Sequence, residues 1–134
     1  YPKVKEYMER VVAQARETGY VETIFGRRRY LPDIRSANSV VRSLAERNAI
    51  NAPIQGSAAD IIKIAMNRIH REFAVRGIRS KVILQVHDEL VIDMLREEQE
   101  EVTALVREAM EHAARLRVEL VVECGVGENW LEAH

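Results

Sequence analysis

Leu84-Gln85-Val86-His87-Asp88-Glu89-Leu90-Val91-Ile92 places a histidine and two adjacent carboxylates between two short apolar runs. To the left, Val82, Leu84 and Val86 share one parity, with Lys81, Ile83 and Gln85 on the other. To the right the apolar run is Leu90, Val91 and Ile92. Aliphatic and β-branched runs of this length read as strands. A strand interior cannot hold Asp88 and Glu89 unpaired, because burying a charge without a partner is strongly unfavourable. The spacing therefore predicts a tight hairpin with the His-Asp pair at or near its tip. Such a tip fixes negative charge at the edge of a sheet, a half-site for a hard divalent cation. The simpler reading is a turn and nothing more, since Asp is a common turn residue. His and Glu are not, and Gly and Asn are absent, so turn chemistry leaves His87-Asp88-Glu89 unexplained.

Outward from the hairpin, the pattern alternates helices and strands. Pro2 to about Thr18 reads as a helix, with Pro2 in the first turn, Val4, Met8, Val11, Val12 and Ala15 as an apolar stripe, and Gly19 as its stop. Tyr20–Phe25 reads as a short strand, Gly26 turns the chain, and Arg27–Leu31 returns as its partner. A second helix is expected from about Ser39 to Asn51, halted by Pro53. A third starts near Ser57, capped by its hydroxyl with Asp60 three residues on, buries Ile61, Ile62, Ala65, Met66, Ile69 and Phe73, and stops near Gly77. A fourth runs from about Glu97 to Ala113, with Val102, Leu105, Val106, Ala109 and Met110 inward. Val118–Glu123 is expected as a last strand. Helices with antiparallel hairpins sharing one sheet make an α+β domain.

The 134 residues suffice for one domain-sized core. No apolar run approaches the ~20 residues of a membrane span, and no secretory signal is visible. The chain begins Tyr1-Pro2 without an initiator Met, as expected for an excised piece of something longer. Cys124 is the single cysteine, which excludes an internal disulfide and a cysteine-based zinc site, and fits a reducing cytoplasm. The net charge of −1 conceals a polarity. Residues 1–96 carry 17 Lys/Arg against 11 Asp/Glu, and residues 97–134 carry 3 against 10. A basic front can form a face for phosphates. The acidic tail reads more simply: Glu97, Glu98, Glu100 and Glu101 decorate a helix start, where negative charge suits the macrodipole.

Three groups could carry chemistry. Arg27, Arg28 and Arg29, flanked by Phe25 and Tyr30, could bind phosphate through guanidinium pairs. Equally, they could be a solvated edge strand protected by charge. Arg47, Asn51 and Gln55 recur every four residues, and the first two share a helix face. Such donors could reach the minor-groove edge of DNA, where purine N3 and pyrimidine O2 are acceptors common to the base pairs. On spacing alone, helix-end capping and loop-bracing is the stronger reading. Asp88 and Glu89 could bind Mg²⁺, which takes one or two protein carboxylates and completes its shell with water and phosphates. Two adjacent carboxylates alone are an incomplete two-metal site. His87 could donate to a phosphate or simply pack. His70, His112 and His134 lack metal-ligand spacing and read as structural.

Four segments together resemble one family. They are Gly19-Tyr-Val-Glu-Thr-Ile-Phe-Gly-Arg-Arg-Arg-Tyr-Leu-Pro-Asp33, Glu46-Arg-Asn-Ala-Ile-Asn-Ala-Pro-Ile-Gln-Gly-Ser-Ala-Ala-Asp60, Gln85-Val-His-Asp-Glu-Leu90 and Gly125-Val-Gly-Glu-Asn-Trp130. In this order and spacing, residues 1–134 look like the C-terminal part of a family A DNA polymerase of the bacterial DNA polymerase I type. The resemblance implies an α+β piece of the palm with adjoining fingers helices, its antiparallel sheet carrying a catalytic hairpin. It implies that Asp88 is a catalytic metal-binding aspartate and Glu89 its supporting neighbour, with two Mg²⁺ ions in the complete site. It implies that His87 contacts the primer strand near its 3′ end, and that Arg47, Asn51 and Gln55 contact the primer–template duplex. The Arg27–Arg29 run would be backbone-facing or structural. The implied reaction is attack of a primer 3′-hydroxyl on the α-phosphate of a dNTP, in DNA replication and repair. The implied setting is the bacterial cytoplasm, associated with the nucleoid, with no membrane partner.

The family's other catalytic aspartate, in an Asp-Tyr-Ser-Gln-Ile-Glu segment, and its nucleotide-binding fingers helix do not occur in this sequence; nor does a thumb. Residues 1–134 are therefore expected not to extend a primer alone. Two other classes compete: a stand-alone nucleic-acid-binding module that keeps the duplex-contacting row, and a metal-dependent nuclease using Asp88 and Glu89. The nuclease needs more carboxylates around the hairpin than the sequence offers. A single-subunit RNA polymerase is a distant relative of the same kind, but the His-Asp-Glu triplet resembles the DNA polymerase version.

Overall fold

The structure is a computed structural model that describes all 134 residues, Tyr1–His134. In chain order it contains α1 (Pro2–Thr18), β1 (Tyr20–Glu22), β2 (Arg28–Tyr30), α2 (Ser39–Arg76), β3 (Lys81–Val86), β4 (Glu89–Asp93), a 3₁₀ turn (Arg96–Glu98), α3 (Gln99–Glu111) and α4 (Trp130–Ala133). The expected α+β character holds. The hairpins do not share a sheet, however: β1-β2 and β3-β4 are separate two-stranded sheets. Two compact units, Tyr1–Asp60 and Ile61–His134, each have their own core.

In the first unit, α1 ends at Gly19, whose φ of 84° is the left-handed cap that glycine adopts without strain. Only the C-terminal half of its stripe is covered: Val11 and Ala15 are buried, while Val4 and Met8 stay exposed. β1 and β2 pair antiparallel with Val21 opposite Arg29 and Glu22 opposite Arg28. Asn38 caps α2, its side-chain oxygen accepting from the N–H groups of Val40 and Val41 at 3.0 and 3.3 Å. Ala45, Ala49 and Ala52 then recur on one face of α2 and pack with Val11, Ala15, Val21, Leu31 and Ile34.

Pro53 does not stop the helix. α2 runs unbroken through it, where two helices were expected. A proline inside a helix loses one backbone hydrogen bond and crowds the preceding turn, so something else must hold this stretch helical. Ser57 is accordingly not an N-cap. Its hydroxyl donates to the Pro53 carbonyl at 2.5 Å and accepts from the N–H of Ile24 at 2.9 Å.

In the second unit, α2 ends at Gly77, with φ 65°, and Ile78 N–H reaches back to the Phe73 carbonyl at 2.9 Å. Ile69 and Phe73 of α2 meet Val102, Leu105, Val106 and Ala109 of α3, and Val82, Leu90 and Ile92 of the hairpin pack on that cluster. The expected alternation along β3 is interrupted. Val82 pairs with Ile92 but Leu84 pairs with Val91, so Ile83 is an extra residue. The bulge shifts the parity, leaving Ile83 and Leu84 at 62% and 45% exposed. Glu98 ties the ends of the hairpin together: its carboxylate accepts from the backbone N–H groups of Arg79 and Ser80 and from the Ser80 hydroxyl at 2.7 Å. Ser80 Oγ in turn accepts from Leu95 N–H at 3.0 Å. Glu98 is thus a clamp and not mere decoration of a helix start. The expected strand over Val118–Glu123 does not form, and the segment pairs with neither hairpin. Val118 and Val121 remain exposed.

Candidate functional site

The tip of the β3-β4 hairpin is the two-residue loop His87-Asp88, with Val86 paired to Glu89. His87 is the one non-glycine residue with positive φ, at 53°. A positive φ at the first loop residue alone is the sign pattern of a II′ turn, whose twist matches the strands it joins. Glycine is the ordinary occupant, so histidine there carries conformational strain. Gln85 braces the tip by donating its side-chain N–H to the His87 carbonyl at 2.8 Å. The expectation of a hairpin with His-Asp at its tip is met.

The two carboxylates are treated differently. Asp88 is exposed and engages no partner within the chain. Glu89 is half-buried and held: it accepts from the Trp130 indole N–H at 3.2 Å and from His134 Nε2 at 2.9 Å. His134 Nδ1 lies 2.8 Å from the Trp130 carbonyl. His134 Nε2 also lies 3.1 Å from the Trp130 indole nitrogen, which donates toward it, and the ring forms an ion pair with Glu89 when it is protonated. The His134 hydrogen bond holds the Glu89 carboxyl below its usual range. The Trp130 carbonyl, and then Glu89, push the His134 pKa up.

Sequence reasoning assigned His134 no role beyond a structural one and did not connect Trp130 to Glu89. A local signal existed. Asn129 and Glu132 have capping spacing, and Asn129 Oδ1 accepts from Glu132 N–H at 3.0 Å, starting the short α4. That turn sets Trp130 and His134 four residues apart on one face. Gly127 permits the close approach: a Cβ there would lie 2.6 Å from Glu132 Cβ.

In kind, the carboxylates suit a hard cation, since all donors are oxygen. In number they fall short. Glu89 is committed to two N–H donors, and no group of three His, Cys, Asp or Glu residues in the chain is gathered to hold a metal.

The other candidate residues lie in the first unit. Arg47, Asn51 and Gln55 are exposed on α2, away from the buried Ala45, Ala49 and Ala52. Because α2 continues through Pro53, Gln55 joins the same helix as the other two. None of the three engages an intrachain partner, whereas neighbouring Glu46 is paired with Arg16 at 2.5 Å. They cap nothing and brace no loop, so the structure turns against the capping reading.

The arginine run divides. Arg27 bonds Asp60 Oδ1 at 2.8 Å and the Gly56 carbonyl at 3.3 Å. Arg28 lies 4.2 Å above the Tyr20 ring and bonds Glu22 at 3.1 Å. Arg29 alone has no partner within the chain. An open hollow of about 250 Å³ lies among Arg27, Arg28, Arg29, Gln55 and Gly56.

The family model for DNA polymerase family A matches residues 1–132. This chain belongs to DNA polymerase family A. The family A chain is 55% identical to DNA polymerase I of Pseudomonas aeruginosa over 134 residues, 100% of this chain and 15% of that protein. It is 50% identical over 133 residues to the thermostable DNA polymerase I of Thermus filiformis, covering 99% of this chain and 16% of that one. Among solved structures, it superposes on the polymerase domain of M. smegmatis Pol1, described in complex with DNA primer–template and dNTP. The TM-score is 0.94 at 51% identity, covering 96% of this chain and 23% of that one. The family A chain thus spans about a sixth of the length of the relatives it matches. No helix of it is long and apolar enough to cross a membrane.

Proposed function

We propose that this chain is part of an enzyme of template-directed DNA synthesis, which transfers deoxynucleotides from dNTPs to a primer 3′-hydroxyl in DNA replication and repair. The observation that carries the reading is Asp88: an exposed carboxylate at the tip of a rigid hairpin, free of any intrachain partner. A surface aspartate with no ligand role has no need of a strained histidine beside it or a braced neighbour. The primer–template and dNTP named with the M. smegmatis polymerase domain support the same substrates here.

Asp88 would be the principal metal ligand from this chain, with Glu89 in a supporting role. Two Mg²⁺ ions in the complete site would supply positive charge to activate the hydroxyl and offset charge on the phosphoryl oxygens. Glu89 adds negative charge next to Asp88, and Trp130 and His134 fix its direction. His87, on the solvent side of the turn, would donate to the primer strand. Arg47, Asn51 and Gln55 would hold the duplex, their free donors matching minor-groove acceptors present in every base pair. Duplex binding of this kind tolerates any sequence, as a copying enzyme requires. Residues 1–134 alone would not extend a primer, because two carboxylates fall short of a two-metal ligand set. The setting we propose is the bacterial cytoplasm.

Alanine at Gln55 in the full-length protein tests the binding half of the reading. Primer–template affinity is expected to fall about fivefold, the loss of one or two hydrogen bonds. Unchanged affinity would remove Gln55 from the interface.

A further inference from the structure

We propose that Arg27 is a positioning residue for duplex binding, fixing the turn of α2 that follows Pro53 and with it the direction of Gln55. The proposal rests on the reading of Gln55 as a duplex contact.

The stretch 53–57 is the least self-sufficient part of α2. Pro53 has no N–H to donate and crowds the turn before it. Gly56 is the poorest helix former after proline. The Ser57 hydroxyl back-bonds to the Pro53 carbonyl, an arrangement that loosens and bends helices. Nevertheless the helix is continuous.

What holds it comes from the β1-β2 loop. Ile24 N–H bonds Ser57 Oγ at 2.9 Å. The Arg27 guanidinium spans the turn, with Nε on Asp60 Oδ1 at 2.8 Å and Nη2 on the Gly56 carbonyl at 3.3 Å. Thr23 Cγ2 fills the space beside Gly56, at 2.8 Å from where a Cβ would stand. The loop is itself stiffened: Thr23 Oγ1 accepts from the N–H groups of Phe25 and Arg27 at 3.3 and 3.2 Å.

Gln55 sits inside this braced stretch, while Arg47 and Asn51 sit before it on regular helix. The brace therefore bears on one member of the row and not on the other two. Asp60 is mostly covered and Arg27 is half-exposed, with side chains 11% and 55% accessible. The guanidinium's planar fork suits two acceptors at a fixed separation, which lysine cannot match.

The test is a double-mutant cycle on primer–template affinity in the full-length protein, without dNTP. Arg27→Ala is expected to weaken binding about fivefold in the wild-type background and less than about twofold in a Gln55→Ala background. With Arg47→Ala the losses should multiply. The slope of log affinity against log salt should not change, whereas loss of a direct phosphate contact would lower it by about 0.9. An equal loss in the Gln55→Ala background, or a reduced salt slope, overturns the positioning role. If Gln55→Ala alone leaves affinity unchanged, the duplex reading of Gln55 has failed first, which separates the two failures. Should Arg27→Ala melt below the assay temperature, Arg27→Lys takes its place: it keeps the charge beside Asp60 and gives up the two-armed grip, so the same coupling with Gln55 is expected.

Discussion

His87 concentrates the cost of the hairpin tip in one residue. Its φ of 53° suits glycine and, less well, residues without β-branching. His87→Gly is expected to change stability by less than about 0.5 kcal/mol, since relieved strain offsets the added freedom of the unfolded chain. His87→Val should cost about 1–2 kcal/mol, because a β-branched side chain clashes in this region. Equilibrium denaturant unfolding of the two variants checks the contrast, and equal stabilities would mean that the tip is unstrained. The sequence showed where Asp88 would stand because the apolar runs on either side admit only one place for a turn. It could not show that Glu89 is held by Trp130 and His134. Those contacts span 41 and 45 residues, and no local pattern encodes so distant a meeting. Gly127→Ala reaches the same contacts indirectly. Its Cβ would press on Glu132 and Ala133, so the His134 ring should leave Glu89, seen as a change in the His134 ring signals in NMR.

At the scale of elements, Pro53 and Glu98 carry the clearest expectations. Pro53→Ala restores a helical N–H and is expected to stabilise the protein by about 1–3 kcal/mol, measured by thermal unfolding. A loss of stability would mean that the bend at Pro53 is what the loop packs against. The sequence rule that proline halts a helix failed here for a stated reason: Ile24 and Arg27, remote in sequence, hold the turn that proline weakens. Val118–Glu123 failed for the opposite reason. Its residues favour a strand, but a strand exists only when paired, and this segment pairs with neither hairpin. By contrast, α3 formed as its periodicity indicated and the β3-β4 hairpin formed where expected, though with its alternation broken at Ile83, because their apolar residues meet in one local cluster. Glu98 makes stability depend on pH. The backbone N–H of Arg79 and the Ser80 hydroxyl hold its carboxyl below the usual range. A folded pKa below the unfolded one adds stability above the unfolded value, lost as pH falls through the folded value. Glu98→Gln should therefore lower the melting midpoint near neutral pH, and the gap from wild type should close below about pH 4. A gap independent of pH would contradict the clamp.

At the scale of the molecule, two separate cores support two separate groups of candidate residues. Ile69 is fully buried in the second core, and Ile69→Ala is expected to cost about 2–5 kcal/mol in unfolding free energy. Arg29 and Arg47 of the basic front lack intrachain partners, as do Arg107, Arg115 and Arg117 of the acidic tail. Within the tail, Glu128 pairs with Arg96 and Glu98 holds the hairpin. Family and fold class were legible in the sequence because the motifs sit at fixed spacing along nearly the whole chain. The supporting contacts were not, since each joins residues far apart in the chain. The central claim is that Asp88 is a catalytic metal ligand of a DNA polymerase. The most direct test is primer extension by the full-length protein with Mg²⁺, comparing wild type with Asp88→Ala, alongside primer–template binding. A loss of extension on the order of 10³-fold, with binding retained, is the predicted result. Undiminished extension by Asp88→Ala would contradict the account and leave the hairpin tip as a turn without catalytic role.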